Sequence, residues 1–424
     1  MNIKITNGNI IDPANGINRV ADLYIADTRI VAIDKAPADF VADEEIDATG
    51  KNVIPGIVDL CARLRDPGQT HKASIASETN AAVAAGITTI CCPPDTSPVL
   101  DTPSVAELIK SRCEAADKAK VVTLGALTKK LEGKQISSMG SLISAGCVGV
   151  SDGRKPVADS LVLRRVMQYA ETYGLRVFLS PIDAWLTEGG CMHEGEVSAR
   201  LGMPSLPEAT ETAAIARDLA LVEKSGIKVH FNQLSTKHGA KLIQQGQADG
   251  QNITVDVSAH QLFLTDEEVA TFDSMYHVRP PLRSREDLEG LREAVRNNVI
   301  GAICSDHQPH DIDAKTGPFP ATEAGISSLE TLLPLVLKLV DEGVLPLEQA
   351  ISKLTCEPAK ILEIDAGTLS IGNRADICIY NPDTKWVFNR DEMLSQGKNS
   401  PFDGWEFKGK VETTFVNGKK VFQI

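Results

Sequence analysis

Imidazoles and carboxylates collect at the ends of apolar runs in this chain. KVHFNQLS carries His230, VDVSAH ends on His260, VGVSDGR holds Asp152, and AICSDHQPH brings Asp306, His307 and His310 into one short stretch. Such groups can hold divalent metals or move protons, and the ends of strands are where a barrel builds its chemistry. DLCARLRDPG, residues 59–68, is of another kind: Cys61 is followed by Arg63 and Arg65. A guanidinium carries only donors and a fixed positive charge, so it opposes a dication.

The elements that must position these residues follow a rhythm. Buried-strand runs recur as VIPGIVDLCARL, ITTICCPP, VVTLGAL, GCVGVSD, LRVFLSP, IKVHFNQLS, ITVDVSAH and GAICSDHQPH. Helical patterns lie between them, including a stretch ending AAVAAG, SVAELIKSRCEAADKA, LVLRRVMQYAETYG and PEATETAAIARDLALVEKSG. Eight βα units predict a (β/α)8 barrel of the TIM type, an α/β fold whose chemistry is built at the C-terminal strand ends. Further helical stretches, SSLETLLPLVLKLVDEG and LEQAISKLTCEPAKIL, follow the last strand.

The two ends of the chain read differently. IKITNG, NIIDPANG, ADLYIADTRIVAI and EIDATGKNVIPG predict short antiparallel strands, and GTLSIGNRADICIYNPD with KVETTFVNGKKVFQI repeats that style at the other end. The expectation is a barrel over residues 54–365 and a small β-sandwich joining residues 1–53 to 366–424, since terminal strands otherwise leave unpaired edges.

Composition narrows the function classes. With 424 residues and 42% hydrophobic side chains the chain can bury a large core, and no apolar run is long enough for a membrane helix. A net charge of −14 disfavours nucleic acid as a partner. The start, MNIKITNGNIIDPANG, lacks the apolar region of a signal peptide, so a cytoplasmic location is expected. Nine cysteines without paired C-x-x-C spacing read as buried thiols. No phosphate loop or Gly-x-Ser-x-Gly elbow occurs. Ser77 and Glu78 read as a helix-start pattern, Asp311 and Asp313 as a solvated loop, and GPFPATEAGI as a loop over a pocket mouth.

VIPGIVDLCARLRDPGQTHKASI, AAVAAGITTICCPPDTSPVLDTP, LGMPSLPEATETAAIARDLAL, PPLRSREDLEGLREA, CSDHQPH, GPFPATEAGISSLETLLPL and NSPFDGWEFKGKVETTFVNGKKVF resemble the bacterial dihydroorotases of the amidohydrolase superfamily, over essentially the whole chain. That resemblance implies interconversion of carbamoyl-aspartate and dihydroorotate by a zinc-bound hydroxide. It also locates the family's ligand positions, and most are altered. The His-x-His pair falls on Cys61 and Arg63, later ligand histidines fall on Ser180 and Gln233, and the carboxylate segment keeps Asp152 but continues as Gly153 and Arg154. The resemblance leaves open which carboxylate of that segment is the ligand. Asp306 is retained, as is His230. In the substrate pocket Arg65 is kept, Asp95 and Arg279 stand where the family has asparagines, and His260 and His310 are read, with His230 and His307, as hydrogen-bonding histidines.

The expectation is therefore a pseudoenzyme without catalytic residues, metal or cofactor, Asp306 being vestigial. Losing the metals would leave Asp306, and Asp152 with it, as buried negative charge, which Arg63 or Arg279 would neutralise. Cys61 reads as a small core residue. Noncatalytic relatives of this kind pair with the catalytic chain of aspartate carbamoyltransferase, so the resemblance implies an assembly role in pyrimidine synthesis, as a hetero-oligomer or homo-oligomer. Two rivals are an active dihydroorotase with a reduced site of Asp306, Cys61 and one histidine, and an amidohydrolase of changed substrate.

Overall fold

The computed structural model describes residues 1–187, 189–222 and 226–424. Strand β1 (Asn2–Asp12) runs through the Asn-Gly predicted to break it, because Asn7 takes a positive φ of 58° inside a bulge between Ile5 and Gly8. It ends at Pro13, which opens a helical turn capped by the Asp12 side chain. β2 (Ile17–Ala26) and β3 (Arg29–Ile33) follow antiparallel. β4 (Glu44–Asp47) and β5 (Asn52–Pro55) instead pair with β1 in parallel, which corrects the all-antiparallel expectation.

The barrel strands are β6 (Ile57–Asp59), β7 (Ile87–Cys92), β8 (Lys120–Ala126), β9 (Gly149–Ser151) and β10 (Arg176–Leu179). After an excursion holding the short parallel pair β11 (Met192–His193) and β12 (Ser205–Leu206) come β13 (Lys228–Phe231), β14 (Ile253–Ser258) and β15 (Ala302–Cys304). The eight lie side by side in sequence order, all parallel. The seam between first and last closes just beyond the strands, where Arg63 N–H donates to His307 O (2.9 Å) and His307 N–H to Cys61 O (3.2 Å). Asp59 reinforces it by accepting from Ser305 N–H at 2.8 Å and from the Ser305 hydroxyl.

Val58, Cys61, Cys91, Leu124, Phe178 and Cys304 fill the barrel interior, while a second, larger apolar layer packs the helices around it. Each such side chain withdrawn from water contributes about 1.5–3 kcal/mol. Helix Ala209–Val222 matches the start of PEATETAAIARDLALVEKSG; positions 223–225 of that prediction lie outside the described residues. The stretch LEQAISKLTCEPAKIL is not one helix. It breaks between Leu347–Ser352 and Cys356–Leu362 because the carbonyls of Lys353 and Leu354 accept from Ile303 and Val58 at the starts of the outermost strands.

β16 (Ile377–Val387), β17 (Glu406–Val416) and β18 (Lys419–Gln423) return to the first sheet, β16 pairing with β5. Both chain ends thus share one eight-stranded sheet with an apolar core of its own, including Ile3, Leu23, Ile25, Ile377 and Phe415. Between β16 and β17, residues 394–399 cross toward the barrel's strand ends. Glu330 accepts from Leu394 and Ser395 N–H, Glu78 from Ser395 Oγ and Gln396 N–H, and Asn399 spans Gln308 O, Gly325 O and His310 N–H.

Candidate functional site

The retained aspartate sits at the centre of the C-terminal strand ends. Asp306 follows β15 with a positive φ of 51° and is 1% exposed. Its Oδ2 accepts from Arg154 Nη2 at 2.6 Å, and its Oδ1 lies 3.4 Å from Arg63 Nη1. Gln308 Nε2 stands 3.4 Å from both oxygens. Arg63 also donates from Nε to Asp95 Oδ2 at 2.6 Å. The substituted aspartate and the substituted arginine are therefore partners.

Arg154 is the cation the sequence reading misses. The turn after β9 gives it a φ of +65°, which folds its side chain back over the barrel mouth. Its own N–H donates to Asp152 Oδ1 (3.1 Å), and Nη2 also reaches Gln233 Oε1 (3.4 Å). Arg279, the other predicted neutraliser, is exposed at the rim and donates to Gly190 O at 3.3 Å; it makes no ion pair with Asp306. The expectation is corrected from Arg63 or Arg279 to Arg63 with Arg154, the local signal being only that Arg154 follows Asp152 by two positions.

Asp152 also departs from the expected arginine pairing through its side chain. Ser180 satisfies it, donating from N–H to Oδ2 and from Oγ to Oδ1, both at 2.9 Å. Burial pushes its carboxyl up to about 6. Gln233, at φ 48°, donates its N–H to Asp256 Oδ1 at 2.5 Å, while the other oxygen of Asp256 lies 3.2 Å from His230 Nε2. Cys61 is buried with Sγ 3.8 Å from Asp306 and 3.6 Å from Arg63 Nη1, and desolvation raises its thiol far above the usual range.

The histidines divide in two ways. His307 Nδ1 accepts from Ser328 N–H (3.0 Å), leaving Nε2–H to donate to Glu78 Oε2 at 2.8 Å. Ser77 and Glu78 do form a helix start, Ser77 closing a capping box with Ser74 and Glu78 lying in the first turn, and the buried Glu78 carboxylate serves as a long-range anchor as well. His310 Nδ1 lies 3.2 Å from Lys72 Nζ, and its Nε2 lies 3.1 Å from Ala324 O and 3.0 Å from Arg65 Nη2. Burial and these cations push it down to about 2. His260 breaks the hydrogen-bonding expectation, because neither ring nitrogen has a partner among the described residues and burial pushes its pKa down to about 4.

A cavity of about 390 Å³ opens above these groups, walled by Arg63, Arg65, Arg154, Arg279, Asp95 and His310. The predicted loop GPFPATEAGI supplies Pro320, Thr322, Glu323 and Ala324 to its mouth. A larger groove of about 550 Å³ lies over Trp386 and Phe407 and has neither imidazole nor thiol in its lining.

This donor set does not fit a zinc centre. Among the described residues no three His, Cys, Asp or Glu side chains are grouped to hold a metal ion. Asp306 has each carboxylate oxygen facing a guanidinium, which would have to be displaced, and Ser180 and Gln233 are engaged with Asp152 and Asp256. What the arrangement offers chemically is positive charge and hydrogen-bond donors.

Comparison with known proteins agrees with this architecture. The amidohydrolase family model matches residues 52–421. A dihydroorotase-like protein of Pseudomonas aeruginosa is 46% identical over 99% of both chains. A dihydroorotase of Geobacter metallireducens is 40% identical over the full length of both. Among solved structures, the L-hydantoinase of Arthrobacter aurescens superimposes with a TM-score of 0.89 at 26% identity, covering 99% of this chain and 96% of that one. With barrel, terminal sheet and full-length similarity in agreement, the chain belongs to the amidohydrolase family, among the dihydroorotases and dihydroorotase-like proteins.

Proposed function

We propose that this protein is a catalytically inactive dihydroorotase-like subunit that supports assembly of aspartate carbamoyltransferase in pyrimidine synthesis. The observation that carries the loss of activity is the double engagement of Asp306 by Arg63 and Arg154. Two internal guanidiniums supply the charge that metals would otherwise supply, so the barrel mouth is electrostatically closed without them. The 46% identity to a protein named dihydroorotase-like supports the same reading. The partner is assigned from the family resemblance, and a packed barrel can serve as a scaffold without its chemistry.

A second reading, an active enzyme with an atypical site, is favoured by the 40% identity to proteins named dihydroorotase. Co-expression with and without the aspartate carbamoyltransferase catalytic chain separates the two. The scaffold reading expects a defined hetero-complex on which carbamoyltransferase activity depends, with neither zinc nor dihydroorotase activity in this chain. Zinc together with cyclisation of carbamoyl-aspartate by this chain alone would overturn it.

A further inference from the structure

One loop after β10 presents an apolar side chain that the described residues leave uncovered. Trp185 is 81% exposed, the most exposed large apolar side chain among them, and Leu186 beside it is exposed as well. The turn that presents both is held from within. Asp183 Oδ1 accepts from the N–H groups of Trp185 (2.9 Å) and Leu186 (3.0 Å), and Asp183 N–H donates to Thr210 O at 2.7 Å, in helix Ala209–Val222. An indole held in water on a fixed turn suits docking, because little further order is needed when a partner arrives. Beside it, flanked by Ala184 and Thr187 of the same loop, lies an apolar cavity of about 220 Å³ walled by Pro156, Ile182, Leu206 and Pro281. Knob and hole thus share one patch.

The two halves of the patch carry opposite charge. DAWLTE holds Asp183 and Glu188 and no cation, whereas Lys155 and Arg279 rim the hole, neither of them in an ion pair among the described residues. The other charged lining residues are engaged internally: Arg154 with Asp306, Glu211 with Ser235 and Thr236, and Arg283 with Ser235 Oγ. A patch with an acidic knob and a basic hole is self-complementary, as a twofold contact between identical chains requires. We infer that two copies of this chain pair through this patch, the Trp185 indole of each entering the cavity of the other against its Arg279. A guanidinium over an indole face adds a cation–π contact. Each indole withdraws about 150–250 Å² from water, so the reciprocal pair makes a small interface with an expected dissociation constant of roughly 10–100 µM. Arg154 and Arg279 also line the barrel-mouth cavity, so each copy covers part of the other's mouth.

The test is sedimentation velocity of the purified full-length chain, alone, from about 2 to about 500 µM, where a monomer–dimer equilibrium is expected. Trp185→Ala, at an exposed position, is expected to keep the melting temperature and weaken the dimer about tenfold or more. Lys155→Glu, also exposed, is expected to weaken it about threefold or more. Ala184→Phe, which fills the hole, is expected to be monomeric by itself. Mixed in equal amounts with Trp185→Ala it should recover part of the dimer, because one knob then meets one open hole. A chain still monomeric at about 500 µM, or a dimer that Trp185→Ala leaves unchanged, would overturn the inference. So would a Trp185→Ala chain that dimerises like the parent but no longer binds the aspartate carbamoyltransferase catalytic chain, since the indole would then belong to that contact.

Discussion

Arg154 reaches across the barrel mouth to place Nη2 2.6 Å from Asp306 Oδ2, while Arg63 takes the other oxygen of the same carboxylate. Removing Arg154 takes the shorter of two ion pairs from a buried carboxylate and leaves it with Arg63 alone, whereas removing both charges leaves a polar gap that water can fill. Arg154→Met is therefore expected to destabilise the fold by about 3 kcal/mol, and Asp306→Asn in that background to recover part of the loss. Urea unfolding of the two single variants and the double variant measures the coupling; strict additivity would mean that the pair carries no interaction.

Chelation should do little. Because guanidiniums occupy Asp306, dialysis against EDTA is expected to leave the melting temperature within about 1 °C, where a structural zinc would shift it by far more. Elemental analysis before and after dialysis, beside thermal melts, gives the answer.

Glu78 joins three parts of the molecule, taking bonds from His307, Ser395 and Gln396. Glu78→Ala strips the buried His307 Nε2–H and the crossing segment of their acceptor at once. A loss of about 3 kcal/mol is expected, with faster hydrogen exchange concentrated at residues 394–399. Exchange that rises uniformly over the chain would argue against a local clamp.

Burial drives the Asp59 carboxyl up to about 7, against hydrogen bonds from Ser305 that pull it down. The folded state then binds this proton more tightly than the unfolded chain, so the contribution of Asp59 is most favourable below about pH 4 and is lost as pH rises toward about 7. The buried neutral His260 works in the opposite sense, favouring the fold as pH rises from about 4 to about 6.5. The difference in stability between Asp59→Asn and the parent isolates the first effect. It should shift in favour of the variant by roughly 2–4 kcal/mol between pH 4 and 7.5, and a difference independent of pH would refute the assignment.

All nine cysteines are free thiols and only Cys113 is even half-exposed. Native protein should therefore react with an aromatic disulfide reagent at no more than about one thiol within minutes, and at all nine in guanidinium chloride. Rapid native labelling of several thiols would show that the barrel interior opens readily.

The barrel is legible in the chain because each strand is a short apolar run and because the β/α alternation repeats eight times. The parallel pairing of β4 and β5 with β1 is not legible, since strand propensity carries no direction. At the site, Asp306, Arg63 and Asp95 can be singled out one by one, but their mutual bonding depends on three different strand ends meeting. Arg154 escapes because a residue in an SDGR turn reads as loop until its positive φ is known. The long-range role of Glu78 escapes for a related reason: a carboxylate beside a capping serine looks local, as its bond from Ser77 is, while its partners His307, Ser395 and Gln396 lie more than 200 positions away.

The union of both chain ends in one sheet has a consequence for synthesis. Asn52 on β5 waits for Tyr380, 328 positions later, to complete its pairing. At roughly 5–20 residues per second, the nascent chain carries β5 as an open edge for roughly 15–65 s while the barrel emerges between the two. The half-sheet β1 to β5 is thus the part of this protein most in need of a chaperone on the ribosome, and the last strands made are the ones that seal it.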